Sequence, residues 1–233
     1  MNTNSNSYTI IYASVMVVIV AFLLAFVSSS LKDTQNKNVE LDKMKQILSA
    51  LNVSTQGQNA EALYKQYVKQ DLIINANGET VKEEGGFKVD VVKEMAKPLA
   101  ERELPVYVCE VDGATKYVLP LRGTGLWGPI WGYVGLDDDK DTVCGTYFSH
   151  QGETPGLGAE IATEHFQKPF VGKHIMRDGK LVSIAVVKPG KTAEGQDYVD
   201  GISGGTITSV GVDAMLKACL NSYKSFLTNN DEE

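Results

Sequence analysis

The chain has 233 residues, 43% of them hydrophobic and 22% charged, with a formal net charge of −7. This is the balance of a globular protein with enough apolar mass for a sizeable core, and an acidic chain with no basic run offers no footing for nucleic acid. Its three cysteines, Cys109, Cys144 and Cys219, are widely spaced with no CxxC or Cys/His cluster, so the pattern gives no support to a zinc or iron–sulfur site and reads as buried structural thiols.

Ile10 to Val27 is almost wholly apolar and, with Tyr8 and Thr9, reaches the ~20 residues that span a bilayer. No Lys or Arg precedes it, and the run exceeds the ~7–15 residues of a signal-peptide core. A retained anchor is therefore expected over residues 1–30, although Ser28-Ser29-Ser30 resembles a cleavage site. Lys32 and Lys37 follow the span, so charge counting alone leans towards a cytoplasmic soluble part.

Beyond it, Leu31 to Asn38 reads as a polar linker. Val39 to Leu51 and Ala60 to Lys69 have apolar positions three and four apart and predict helices. Asp71 to Asn75 and Glu79 to Val81 flank Asn77-Gly78, a hairpin signal. Val91 to Arg102 reads as a short helix despite Pro98. Pro105 to Val111 and Thr115 to Leu121 flank Asp112-Gly113 as a second hairpin, and Ile130 to Leu136 and Thr142 to Ser149 form a third around Asp137 to Asp141. That acidic run lacks the Gly and distal Glu of an EF-hand and reads as a solvated turn. Ala159 to Gln167 predicts a helix, and Ile175 to Arg177 and Lys180 to Val187 flank the turn Asp178-Gly179. The fold class is α+β, with antiparallel hairpins and helices packed on them.

The stretch that organises the rest is Asp200-Gly201-Ile202-Ser203-Gly204-Gly205-Thr206-Ile207-Thr208-Ser209. Its glycines allow sharp turning and close approach. An amphipathic helix follows, starting near Ser209, with Val212, Met215, Leu216, Cys219, Leu220, Tyr223, Phe226 and Leu227 on one face. A Gly-rich turn feeding a helix N-terminus suits an anion; by itself it reads more readily as an ordinary loop ending in a Ser or Thr N-cap.

Asp200-x-x-Ser203-Gly204-Gly205-Thr206 resembles the signal at which a flavin transferase attaches FMN to threonine, with Gly205 where alanine is common. Leu121-Arg122-Gly123-Thr124-Gly125-Leu126-Trp127-Gly128-Pro129-Ile130-Trp131-Gly132 and His150-Gln151-Gly152-Glu153-Thr154-Pro155-Gly156-Leu157-Gly158 match the same family. Together these motifs, over roughly Tyr117 to Ser209, resemble the C subunits of sodium-translocating NADH:quinone oxidoreductases, members of the FMN-binding domain family related to the G subunits of Rnf complexes.

The resemblance implies a single anchor at 1–30, a linker and helical part at 31–100 and an FMN-binding domain at 101–233. It implies FMN held covalently on Thr206, whose hydroxyl oxygen displaces AMP from FAD and keeps the flavin phosphate. Ser203, Gly204, Gly205 and Thr208 would belong to the attachment loop. Trp127 and Leu157 are candidates for ring contacts, Gly156 and Gly158 for close backbone approach, and Glu153 and Thr154 for hydrogen bonds to the ring edge or ribityl chain. The implied partners are other membrane, flavin and iron–sulfur subunits of one complex, an FAD-dependent flavin transferase and membrane lipid. The implied location is the bacterial inner membrane, single-pass, with the soluble domain on the outer, periplasmic side. With no GxGxxG after a first strand, NADH oxidation would lie on other subunits, as would quinone binding.

Three other readings stand beside this one: a G-type member of an Rnf complex, a membrane-tethered binding module without redox chemistry, and core or turn roles for Trp127, Gly156 and Gly158. His150 and Glu153 are too few for a metal site and read as capping or surface groups. No Ser-His-Asp or Cys-His order suggests a hydrolase.

Overall fold

The structure, a computed structural model, describes residues 5–229. It divides into two compact units, one ending at Lys43 and the other beginning at Met44. The first helix, α1, is Asn6–Ala50. Ile10, Val17, Val18, Phe22, Leu24 and Phe26 are each well over half exposed, so this stretch has no protein core to join. Its eighteen-residue apolar run, Ile10 to Val27, measures about 27 Å at ~1.5 Å per residue, close to the ~30 Å hydrocarbon core of a bilayer. Among the described residues it is the one helix long and apolar enough to cross a membrane.

The expected linker at Leu31 to Asn38 is instead continuous helix. The segment is polar but contains neither Pro nor Gly, so nothing in it interrupts the backbone ladder. The helix ends where Asn52 adopts φ 57, with the Val53 N–H bonded to the Leu48 carbonyl at 3.0 Å. This left-handed stop is commonly filled by Gly or Asn.

In the second unit, α2 (Ala60–Tyr67) is capped by Asn59, whose side chain accepts from the N–H groups of Glu61 and Ala62. Then come β1 (Val68–Ile74), β2 (Thr80–Lys82), α3 (Val91–Ala96), β3 (Leu104–Val111), β4 (Ala114–Thr124), β5 (Pro129–Leu136) and β6 (Val143–His150). The strands form one six-stranded sheet in the order β2-β1-β3-β4-β5-β6, antiparallel throughout. All three expected hairpins are present. Asp112 at φ 53 and Gly113 at φ 80 make the two-residue turn between β3 and β4, the left-handed pair such turns require.

The helix expected over Val91 to Arg102 stops at Ala96. Pro98 lacks a backbone donor and drives Lys97 to φ −77, ψ 158, and a single 3₁₀ turn follows at Leu99–Glu101. The helix expected over Ala159 to Gln167 is likewise a 3₁₀ turn, Gly158–Ala162, and a short α4, Glu164–Gln167, divided by extended Thr163. Beyond these, β7 (Met176–Arg177) and β8 (Lys180–Leu181) form a small hairpin. The strand expected from Lys180 to Val187 breaks at Ser183, which has φ 66. Its second part, β9 (Ala185–Val187), pairs in parallel with β10 (Tyr198–Asp200). The chain closes with α5 (Thr206–Ser222) and α6 (Lys224–Thr228).

Both faces of the large sheet are covered. On one, Val106, Leu119, Leu121, Ile130, Val134 and Phe148 meet Val212, Met215, Leu216, Cys219 and Leu220 of α5; this is the helix face expected from the apolar spacing. On the other, Tyr107, Cys109, Val118 and Tyr133 meet Ile47, Ala50 and Leu51. Gly135 and Gly145 are cross-strand partners there. A Cβ on either would run into the Ala50 carbonyl oxygen, so this glycine pair lets a backbone rest directly on the sheet.

Candidate functional site

The site forms where the end of β4, the loop after β6 and the start of α5 meet. Two glycines set how closely they approach. Gly123 on β4 leaves room for Met215, whose Cβ would be 2.7 Å from any Cβ placed there, and Gly211 of α5 abuts the Thr124 carbonyl oxygen. The N-terminus of α5 is thereby pressed against the Gly125–Gly128 turn.

The helix begins at Thr206, a turn earlier than expected. Its N-cap is Gly205, with no side-chain acceptor for the first-turn N–H groups, so neither Ser nor Thr caps it. Backbone pairing resumes at Ser209, whose N–H donates to the Gly205 carbonyl at 2.9 Å. An uncapped N-terminus leaves orphan donors and the positive end of the helix dipole facing outward, a suitable seat for an anion.

The three hydroxyls of this turn have different fates. Thr208 is 1% exposed and donates to Glu153 Oε2 at 2.6 Å. Ser209 donates to the Gly205 carbonyl and accepts from the Ile202 N–H, both at 2.9 Å. Thr206 is exposed. The loop ahead of it is folded: the Gly205 N–H donates to the Ile202 carbonyl, and Gly204 has φ 76, a conformation that glycine adopts without strain.

A cleft of about 220 Å³ opens beside Thr206, lined by Leu126, Glu153, Thr154, Leu157, Gly158, Gly204, Gly205, Thr206, Ile207 and Thr208. It brings together eight of the eleven residues singled out in the sequence. Trp127 stands 68% exposed outside the lining, and its backbone N–H donates to Glu153 Oε1 at 2.9 Å. Gly156, at φ 76, is the turn residue after Pro155, where the Leu157 N–H closes on the Thr154 carbonyl at 3.1 Å. Its own N–H is taken by Glu160 at 3.0 Å. Ser203 is exposed on the loop ahead of Thr206, also outside the lining.

His150 Nδ1 accepts the Glu153 backbone N–H at 3.1 Å, a local turn contact, while the Glu153 side chain is buried and bonded to distant segments rather than lying on the surface. Two lining residues were missed in the sequence: Leu126, which is inside a recognised motif, and Ile207, 58% exposed on the outer face of an amphipathic helix. An apolar residue off the helix's core stripe was the available signal for Ile207. The cleft thus joins an apolar rim of Leu126, Leu157 and Ile207 to an exposed hydroxyl at a helix N-terminus. This combination fits a flat aromatic group that ends in a phosphate.

Similarity to known proteins agrees with this chemistry. The FMN-binding domain family matches residues 125–221, which include nearly all of the site. The C subunit of the Na(+)-translocating NADH-quinone reductase of Haemophilus ducreyi is 32% identical, the alignment covering 98% of this chain and 92% of that one. Its namesake from Pseudomonas aeruginosa is 28% identical over 98% and 97%. Among solved structures, the C subunit of the Na(+)-translocating NADH-quinone reductase of Parabacteroides distasonis superposes with a TM-score of 0.81 at 50% identity, covering 86% of this chain and 98% of that one. Shewanella oneidensis NqrC gives 0.67 at 27% identity, over 82% and 97%. With an N-terminal apolar helix, an antiparallel α+β domain and this breadth of similarity, the chain belongs to the family of C subunits of Na(+)-translocating NADH-quinone reductases.

Proposed function

We propose that the chain is a membrane-anchored flavoprotein component of a bacterial Na(+)-translocating NADH-quinone reductase, with FMN attached through its phosphate to the Thr206 hydroxyl. When bound, FMN supplies the redox chemistry, and the protein sets its position and potential. The observation that carries the reading is the fate of the three hydroxyls. Thr208 and Ser209 are buried and spent on internal bonds, whereas Thr206 is exposed, lines the cleft and stands at the uncapped start of a seventeen-residue helix.

Attachment is a phosphoryl transfer. The Thr206 oxygen bonds to the flavin-side phosphorus of FAD, the bond between the two phosphates breaks, AMP departs and the hydroxyl proton goes to solvent or to the transferase. The resulting phosphoester anion would face orphan N–H groups that nothing else caps. Leu126, Leu157 and Ile207 would cover the ring, and Thr154 would offer it polar contacts. NADH oxidation and quinone reduction fall to other subunits of the complex, which this chain serves as an electron relay, and the maturation enzyme is an FAD-dependent flavin transferase.

Thr206→Ala tests the reading. The variant is expected to fold yet show no flavin fluorescence on a denaturing gel under ultraviolet light, while the parent band fluoresces. Mass spectrometry of the peptide carrying Ser203 to Ser209 locates the adduct. Fluorescence that survives Thr206→Ala would move the acceptor elsewhere, with Thr208 the first residue to examine.

A further inference from the structure

Glu153 is only 5% exposed although it lines an open cleft. Each carboxylate oxygen accepts a hydrogen bond from a different distant segment: Oε1 from the Trp127 backbone N–H at 2.9 Å, and Oε2 from Thr208 Oγ1 at 2.6 Å. Its own N–H is held by His150. The glycines nearby clear space for this group. A Cβ on Gly125 would meet Oε1, and a Cβ on Gly158 would meet both Oε2 and the Thr208 hydroxyl. Three sequence motifs therefore converge on one buried carboxylate. Bonds to a charged acceptor are among the stronger ones, and losing that acceptor strands buried donors.

We infer that Glu153 is a positioning residue: it ties the Leu126–Trp127 wall to the first turn of α5 and so sets where the Thr206 hydroxyl stands relative to the cleft. The inference rests on the reading of Thr206 as the flavin attachment point. It also reassigns Glu153 from a direct flavin contact, the role expected from the sequence, to a strut between the cleft walls. Glutamine can fill the same place, its carbonyl oxygen accepting from Trp127 and its amide donating to a rotated Thr208 hydroxyl. Alanine cannot.

The test has two independent readouts on the full chain. The first is amide hydrogen exchange of Trp127 in the flavin-free protein, which does not depend on FMN. Glu153→Ala should exchange at least about tenfold faster than the parent, the change expected for losing a bond worth roughly 1.4 kcal/mol, and Glu153→Gln should stay close to the parent, its neutral carbonyl keeping the bond at reduced strength. The second readout is the rate of covalent labelling with FAD and the flavin transferase. It should fall at least about tenfold in Glu153→Ala and stay at the parent rate in Glu153→Gln. Thr208→Val removes the second half of the strut at nearly constant volume and should slow labelling too, so the question stays open to test if Glu153→Ala fails to fold.

Full labelling of Thr208→Val and of folded Glu153→Ala would overturn the inference. So would Glu153→Gln losing labelling while Trp127 stays protected, because the carboxylate would then act on the acceptor hydroxyl itself rather than hold it in place. A parent that takes no flavin at all would instead refute the reading of Thr206, and the exchange readout would still judge the strut.

Discussion

At the scale of single residues, the cleft divides its work between groups that hold the backbone and groups left free to meet a ligand. Leu157 belongs to the second kind. It is 42% exposed and leans over the attachment loop, where a Cβ on Gly204 would be 2.7 Å from its Cδ2. Its backbone is fixed by the turn at Pro155-Gly156, so the side chain is not needed to shape the loop. Leu157→Ala is therefore expected to retain covalent FMN, to lose less than about 1 kcal/mol of stability as a half-exposed side chain, and to shift the flavin's absorption and midpoint potential by wetting its ring. Redox titration of the variant beside the parent checks this, and identical spectra and potentials would make Leu157 a plain turn residue. The thiols have a different role. Burial pushes Cys109 up to about 12 and Cys144 and Cys219 to about 11, so all three are neutral near pH 7 and weakly nucleophilic. Cys109 and Cys219 are buried packing residues, as expected, whereas Cys144 is only half-buried.

At the scale of elements, the junction between the Gly-rich loop at residues 200–205 and α5 depends on Ser209. It is 5% exposed, and its hydroxyl serves the Ile202 N–H and the Gly205 carbonyl together. Ser209→Ala strands the Ile202 donor and should cost about 1–3 kcal/mol, read as a lower urea midpoint with an unchanged slope; an unaltered midpoint would mean that the loop holds itself. The hairpins and the core face of α5 were legible in the sequence because their signals are local: Asn-Gly and Asp-Gly turns, alternating apolar runs and a 3.6-residue stripe. The errors came where local signals conflict with context. Leu31 to Asn38 looked like a linker because it is polar, yet composition without Pro or Gly does not stop a helix that is already running. Pro98 outweighed the helical spacing around it, and Ser183 split an apolar run that periodicity alone had joined. Of the site, the motifs marked which segments matter. The shared carboxylate stayed invisible, since Trp127, Glu153 and Thr208 meet only through the fold.

At the scale of the whole molecule, the question is which side of the membrane carries the second unit. Lys32, Lys37, Lys43 and Lys45 all follow the apolar run, and counted alone they favour a cytoplasmic location. Two considerations weigh against that count. A long folded domain translocates largely regardless of flanking charge, and the region is mixed, with Asp33, Glu40 and Asp42 among the lysines. The family resemblance implies maturation by a flavin transferase on the outer face, and if the proposed attachment takes place there the domain has to lie on that side. Residues beyond the span are accordingly expected outside the cytoplasm. Fusing a reporter after Glu233 that works only in the cytoplasm should give no signal, while one that needs export should be active. The opposite pattern would place the domain inside, would restore the lysine count as the deciding term, and would require the flavin on Thr206 to be installed by a cytoplasmic enzyme.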